Sequence, residues 1–159
     1  VPQLTPDDVQ QALESLGLDI RVQRFETSTA TAQEAADSIG TDLGTIVKSL
    51  CFVVDGEPVI VLAAGDHRID DRKLAALYDV GRKKVRIADA QTTLQTTGYL
   101  PGGVPPVGHL RPLPVLIDDT LSRFELVYAA AGSPHAIFPI PFGTLCEITG
   151  GRLVDLAKV

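Results

Sequence analysis

The chain has 159 residues, 45% of them hydrophobic, and a formal net charge of −6, which fits one domain able to bury a core without disulfides or a structural metal. Two lone cysteines, Cys51 and Cys146, outside any CxxC or His-rich spacing, argue against a disulfide framework or a zinc cluster and suit a reducing cytoplasm. No apolar run reaches the roughly 18 residues of a membrane span, since Ser49 to Ala64 is broken by Asp55, Gly56 and Glu57, and the acidic balance argues against a protein that coats nucleic acid.

In chain order, Thr5-Pro6-Asp7-Asp8 opens a helix with a capping hydroxyl, an early proline and acidic residues at the positive dipole end. Val9, Leu13 and Leu16 form its buried stripe and Gly17 ends it. Ile20 to Phe25 alternates like a half-buried strand, and Thr31 with Glu34 makes a capping box for a helix ending near Gly40, whose Ala32, Ala35, Ala36 and Ile39 suit close packing. Two β-branched runs from Ile46 to Ala64 flank Asp55-Gly56, a strong hairpin signal. Asp70 or Asp71 caps a helix to Leu77, Lys84 to Ile87 is a short strand, and a helix from Asp89 to Thr96 stops at Gly98. Strands at Pro114 to Ile117 and Glu125 to Ala131 are separated by a capped turn at Asp118-Asp119-Thr120. A last helix spans Phe142 to Thr149, before a terminal strand from Leu153 to Leu156. Helices and hairpins in this irregular order predict a single α+β domain over residues 1–159, with a mixed, mostly antiparallel sheet or partial barrel flanked by helices.

Several residues in this frame could carry chemistry. The loop from Tyr99 to Gly108 is stiffened by Pro101, Pro105 and Pro106. Its central donors are the amides of Gly102, Gly103 and Val104, which the paired glycines can turn toward a carbonyl, carboxylate or phosphate oxygen. Lys48 falls on the strand face shared by Ile46, Leu50, Phe52 and Val54. An ammonium there either snorkels to water along its stem or works in a pocket, orienting a carbonyl or phosphate, stabilising an oxyanion or serving as a base. A second loop, Gly132-Ser133-Pro134-His135, offers a hydroxyl and an imidazole without a nucleophile elbow. Asp118 ends a strand and either faces a site or caps the next turn. His67 and His109 lack metal-ligand spacing and read as surface residues, so no metal site is expected. Arg82, Lys83, Lys84 and Arg86 form a local basic segment, either a solvated face or a contact for a nucleic-acid backbone. P-loop, dinucleotide, zinc-protease and kinase signatures are absent from the sequence.

Together these residues resemble the YbaK/ProX family of aminoacyl-tRNA deacylases, which is similar to the editing insertion domain of bacterial prolyl-tRNA synthetases. The resemblance runs from Ile20 to Leu156 and rests on the Thr31-Ala-Gln-Glu-Ala-Ala36 helix, Ile46-Val47-Lys48-Ser49-Leu50, Lys84-Val85-Arg86-Ile87-Ala88, the loop Thr97 to Gly108 and Val115 to Asp118. It implies hydrolysis, in trans and without metal or organic cofactor, of the ester of a mischarged tRNA, with tRNA(Pro) as the expected partner, a link to prolyl-tRNA synthetase, and neither DNA nor membrane. Lys48 matches the family's functional lysine, and Gly102 to Pro106 match the loop that approaches the aminoacyl carbonyl. Asp118 and Gly132 to His135 match further site positions. Cysteine-specialised members usually carry Ser or Thr where this chain has Pro105, and a basic loop where it has Ser133-Pro134-His135. With Pro105, Pro106, the Ser133-Pro134-His135 loop and the apolar face of the Lys48 strand as walls, and the amides of Gly102, Gly103 and Val104 on the carbonyl, alanine is the first expected substrate, with cysteine or serine behind it. A non-catalytic tRNA or nucleotide binder, or a synthetase-associated module of the same fold, is the alternative.

Overall fold

The computed structural model describes residues 2–159. In chain order its elements are α1 (Pro6–Ser15), β1 (Gln23–Arg24), α2 (Ala32–Ile39), β2 (Ile46–Val54), β3 (Glu57–Ala64), α3 (Asp71–Leu77), β4 (Val85–Ile87), α4 (Ala90–Thr97), β5 (Val115–Asp118), β6 (Leu126–Ala130), β7 (Ala136–Pro141), α5 (Phe142–Thr149) and β8 (Arg152–Val154). The helix boundaries follow local capping chemistry. Thr31 accepts from the Glu34 amide while Glu34 reaches back to the Thr31 N–H, and Gly40 closes α2 in the left-handed region. Asp70 and Asp89 cap α3 and α4, and Gly98 closes α4.

The β2–β3 hairpin is the centre of the sheet, paired antiparallel from Val47 opposite Ala64 to Val54 opposite Glu57. Its turn places Asp55 at φ 50° and Gly56 at φ 84°, two left-handed residues in succession whose twist matches that of the strands. The sheet runs β1-β7-β6-β2-β3-β5-β8, with β4 also on β2. The pairs β2–β6, β3–β5 and β5–β8 are parallel and the others antiparallel, so the sheet is mixed and stays open between β1 and β8.

Strand periodicity divides the core. Val47, Cys51 and Val53 face a cluster with Val9 and Leu13 of α1, Phe138 of β7 and Leu145 of α5. Phe52 and Val54 face Leu74 and Ala75 of α3, while Ile46 packs on Ala35 and Ala36 of α2. Helices thus cover both sheet faces, and none among the described residues is long and apolar enough to cross a membrane.

Strands β1, β4, β6 and β8 are shorter than the sequence pattern predicts, and at β1 and β8 a side chain takes over the backbone bonds. In the run Ile20 to Phe25 the strand is confined to Gln23 and Arg24, with the Phe25 N–H adding a bond to His135 O at 2.8 Å, because the Gln10 side chain satisfies the backbone before it: its amide donates to Ile20 O at 2.9 Å and its oxygen accepts from Val22 N at 2.8 Å. At the C-terminal end β8 stops at Val154, and the Leu156 N–H instead donates to Asp118 Oδ1 at 2.8 Å.

Candidate active site

The site originates in an interruption of the sheet. With β3 along one edge of β2, the other edge is shared by two strands: β6 pairs with it only at Ile46 and Val47, and β4 only from Phe52 to Val54. The stretch from Lys48 to Leu50 lies between them. Ile46 O accepts from Gly65 on the β3 side and Cys51 O accepts from Ala88 on the β4 side, so strand alternation directs the N–H and C=O of Ser49 into the gap. A cavity of about 250 Å³ occupies it, wrapping the edge so that residues of both faces line it. Its floor is Ile46 to Leu50, with Ala130 and Ile137 beside it. Thr29 to Ala32 and Ala35 of α2 form one wall, and Gly102 and Val104 close it.

Gly102 is a backbone requirement. Its φ is 86°, and a Cβ there would stand 3.1 Å from Ala30 O, so only glycine lets the loop both turn and press on the segment entering α2. Of the three predicted amides, that of Gly103 is already used, donating to Leu100 O at 3.1 Å, while its carbonyl accepts from Gly132 N at 2.8 Å. The N–H groups of Gly102 and Val104 find no acceptor among the described residues.

Lys48 is half-buried, and its ammonium donates to His67 O at 2.6 Å. Burial pushes its pKa below the ordinary lysine value; Asp66 pulls it back up and Arg68 adds to the lowering. Asp66 itself is held by Arg123 through bonds of 3.0 and 2.8 Å. One of three ammonium donors is thereby fixed, leaving two for a ligand. The His67 carbonyl that fixes it belongs to a braced segment: the His67 N–H donates to Ala64 O at 3.0 Å, and its ring Nδ1 lies 3.1 Å from Thr120 Oγ1, whose hydroxyl bonds to Asp118.

The structure therefore brings Lys48, Gly102 and Val104 together at one cavity and leaves other predicted residues outside its lining. Asp118 is fully buried, its oxygens occupied by Leu156 N and by the Thr120 hydroxyl and amide, so it braces the shelf under Lys48 instead of facing a ligand. Pro105 and Pro106 are buried, and Pro105 O bonds to His109 Nε2 at 2.7 Å. His109 is thus a partly buried structural residue, its pKa lowered by burial, and not a surface one. Ser133 caps its own loop by accepting from His135 N at 3.1 Å. His135 is exposed and bonds Thr27 O, while Gly132 packs on Thr5 and Pro6. Arg82, Lys83, Lys84 and Arg86 are exposed in and just before β4. Asp118, Asp119 and Asp155 cluster closely enough for a cation, but Asp118 is spent on backbone and hydroxyl donors and Asp155 pairs with Lys73 at 2.9 Å. Sequence reasoning missed Thr29 and Ser49 as lining residues and the His67 carbonyl as the anchor of Lys48; none carries a local signal.

A half-buried ammonium and two loop amides without acceptors thus border one small, mainly apolar cavity, donors of the kind that can polarise a carbonyl. Residues 26–145 match the aminoacyl-tRNA editing domain, and the chain belongs to that family. It is 36% identical to YwhH of Bacillus subtilis over 139 residues, 86% of this chain and 87% of that one. It is 30% identical to EbsC of Enterococcus faecalis, a candidate Cys-tRNA(Pro)/Cys-tRNA(Cys) deacylase, over 75% of this chain and 77% of that one. A solved structure of a candidate trans-editing enzyme for prolyl tRNA synthetase superposes with a TM-score of 0.90 at 37% identity, covering 97% of both chains.

Proposed function

We propose that the protein is a trans-editing deacylase that hydrolyses the ester of mischarged tRNA, removing a small amino acid (alanine, cysteine or serine) from tRNA(Pro). The observation that carries the reading is Lys48: a desolvated ammonium anchored on a backbone carbonyl at the edge of a cavity of about 250 Å³. That volume lies below the roughly 300 Å³ at which drug-sized pockets begin, so it suits an aminoacyl group while the nucleotide stays outside. Family membership supports the reaction, and the names of EbsC, which give Cys-tRNA(Pro) and Cys-tRNA(Cys), and of the superposed structure, which gives prolyl tRNA synthetase, support tRNA(Pro) as the substrate.

The chemistry asks for little machinery. Water adds to the ester carbonyl, the C–O bond to the terminal ribose breaks, and the ribose oxygen leaves with a proton to give a free hydroxyl and an amino acid. Lys48 and the amides of Gly102 and Val104 supply donors for the developing oxyanion, and the positive end of α2 lies at the same wall through Thr31 and Ala32. Discrimination is useful because a synthetase pocket rejects an amino acid smaller by one methylene by only about 1–3 kcal/mol. The sieve against proline falls to Ala30, Ala35, Ile46, Leu50 and Ile137, since the prolines of the 99–108 loop lie outside the lining. A tRNA substrate supports a cytoplasmic setting for the reaction.

Single-turnover deacylation with wild type and Lys48→Ala tests this. The variant is expected to lose about 10²-fold or more, the scale of one oriented oxyanion donor, with its melting temperature within about 4 °C of wild type. Equal rates would refute the assignment.

A further inference from the structure

The carbonyl that anchors Lys48 is held by a closed ring of bonds among Asp66, His67, Thr120 and Arg123, none of which lines the cavity. Leaving β3, the chain presses Gly65 against Leu43 O, where a Cβ would collide, and then turns so that His67 O meets the Lys48 ammonium. Asp66 accepts from both terminal nitrogens of Arg123, at 3.0 and 2.8 Å. The same guanidinium donates from Nε to Thr120 O at 2.6 Å, and the Thr120 hydroxyl lies 3.1 Å from His67 Nδ1. One peptide bond returns from His67 to Asp66. The Asp66 and Arg123 side chains are 32% and 40% exposed, and ion pairs so placed contribute little to stability. Yet all three guanidinium nitrogens are used, and the group lies over the Phe124 ring at 5.0 Å, which holds it to one orientation. What this ring delivers to the site is the acceptor for Lys48.

We infer that Asp66, clamped by Arg123, is a positioning residue for Lys48: it fixes the His67 carbonyl and, through it, the place of the ammonium at the cavity edge. The inference rests on the deacylase reading and adds to it a residue outside the cavity. The Asp66 carboxylate has a second effect. Burial lowers the Lys48 pKa, Asp66 raises it and Arg68 lowers it. The bonds from Arg123 lower the Asp66 pKa in turn, against a smaller effect of burial, and His67 adds to the lowering. Asp118 is the other acidic group acting on Arg123. Once the Asp66 charge is removed, burial and Arg68 act on Lys48 unopposed, so the ammonium gives up its proton at lower pH.

The test follows single-turnover deacylation of seryl-, alanyl- and cysteinyl-tRNA(Pro) against pH, at saturating enzyme, with tRNA affinity and melting temperature measured alongside. The proteins are wild type, Asp66→Asn, Asp66→Glu, Arg123→Met, Lys48→Ala and Lys48→Ala/Asp66→Asn. Asp66→Asn is expected to lose about tenfold or more, the scale of a misplaced catalytic group, with tRNA affinity unchanged and a melting temperature within about 4 °C of wild type. Its alkaline descent should move to lower pH, whereas Asp66→Glu, which keeps the charge, should leave the descent in place. Arg123→Met should also lose rate. In the Lys48→Ala background Asp66→Asn should cost nothing further, because a residue that acts through Lys48 has nothing left to position. A wild-type rate in Asp66→Asn or Arg123→Met overturns the inference. So does a descent that stays in place in Asp66→Asn or moves as far in Asp66→Glu, and so does an undiminished loss in the double variant, which would make the ring purely structural. Each of these results leaves the deacylase reading standing, since wild type still hydrolyses the ester. If wild type clears none of the three esters, the deacylase reading fails and the inference fails with it.

Discussion

Lys48 is where stability and chemistry conflict. Burial disfavours its charged form, which lowers its pKa in the folded state below the unfolded value of about 10.4. Between those two values the unfolded chain binds more protons, so stability rises with pH through that window. The ammonium is also the form that stabilises an oxyanion, so the enzyme-dependent rate, corrected for spontaneous ester hydrolysis, should fall as pH rises through the lowered pKa. In Lys48→Arg, whose guanidinium stays charged, that alkaline descent should disappear from whatever activity remains. A descent at the same pH in Lys48→Arg would assign it to another group. Gly102 makes a second prediction at this scale. Gly102→Ala forces a left-handed alanine against Ala30 O, a strain of about 1–3 kcal/mol. The urea midpoint should fall accordingly, with deacylation falling as the cavity wall shifts; an unchanged midpoint would mean that the loop relaxes freely.

At the scale of elements, the interrupted edge of β2 joins the cavity to the basic segment. The β4 strand runs antiparallel to β2, so Ile87 stands opposite Phe52, Arg86 opposite Val53, four residues from Ser49 and so roughly 13 Å along the strand, and Lys84 beside Asp55, roughly 20 Å along it. Lys83 and Lys84 precede it and Arg86 lies within it, all exposed, while Arg82 stands 4.0 Å from Asp71. A tRNA whose 3′ end enters the cavity would run its backbone past β4. Lys83→Ala/Lys84→Ala is expected to weaken tRNA binding similarly for every aminoacyl group and to reduce the slope of log affinity against log salt by about one to two. Binding titrations across salt concentrations measure it, and an unchanged slope would make the segment a solvated face.

For the whole molecule, what was legible in the sequence was local. Capping residues lie within three positions of the amides they bond, so α2, α3 and α4 could be read from Thr31, Asp70 and Asp89, and the hairpin from Asp55-Gly56. Lys48 stood out because a charge interrupted an apolar face. The remaining features depend on segments far apart in the chain. Gly102 is pressed against Ala30, the Gly103 carbonyl is taken by Gly132, and Asp118 is withdrawn from the site by Leu156. Thr29 and Ser49 are ordinary hydroxyl residues until the fold buries both hydroxyls without partners beside one cavity. The same long-range logic ended the strand at Ile20 to Phe25, where a side chain from α1 supplies the bonds a neighbouring strand would have made.

The most direct test of the central claim is single-turnover deacylation of seryl-, cysteinyl-, alanyl- and prolyl-tRNA(Pro) under identical conditions, with wild type and Lys48→Ala side by side. Wild type should clear at least one of the small esters and spare prolyl-tRNA(Pro), and Lys48→Ala should lose about 10²-fold or more on the ester cleared fastest. Failure of wild type to clear any small ester, rapid hydrolysis of prolyl-tRNA(Pro), or a Lys48→Ala rate equal to wild type would contradict it.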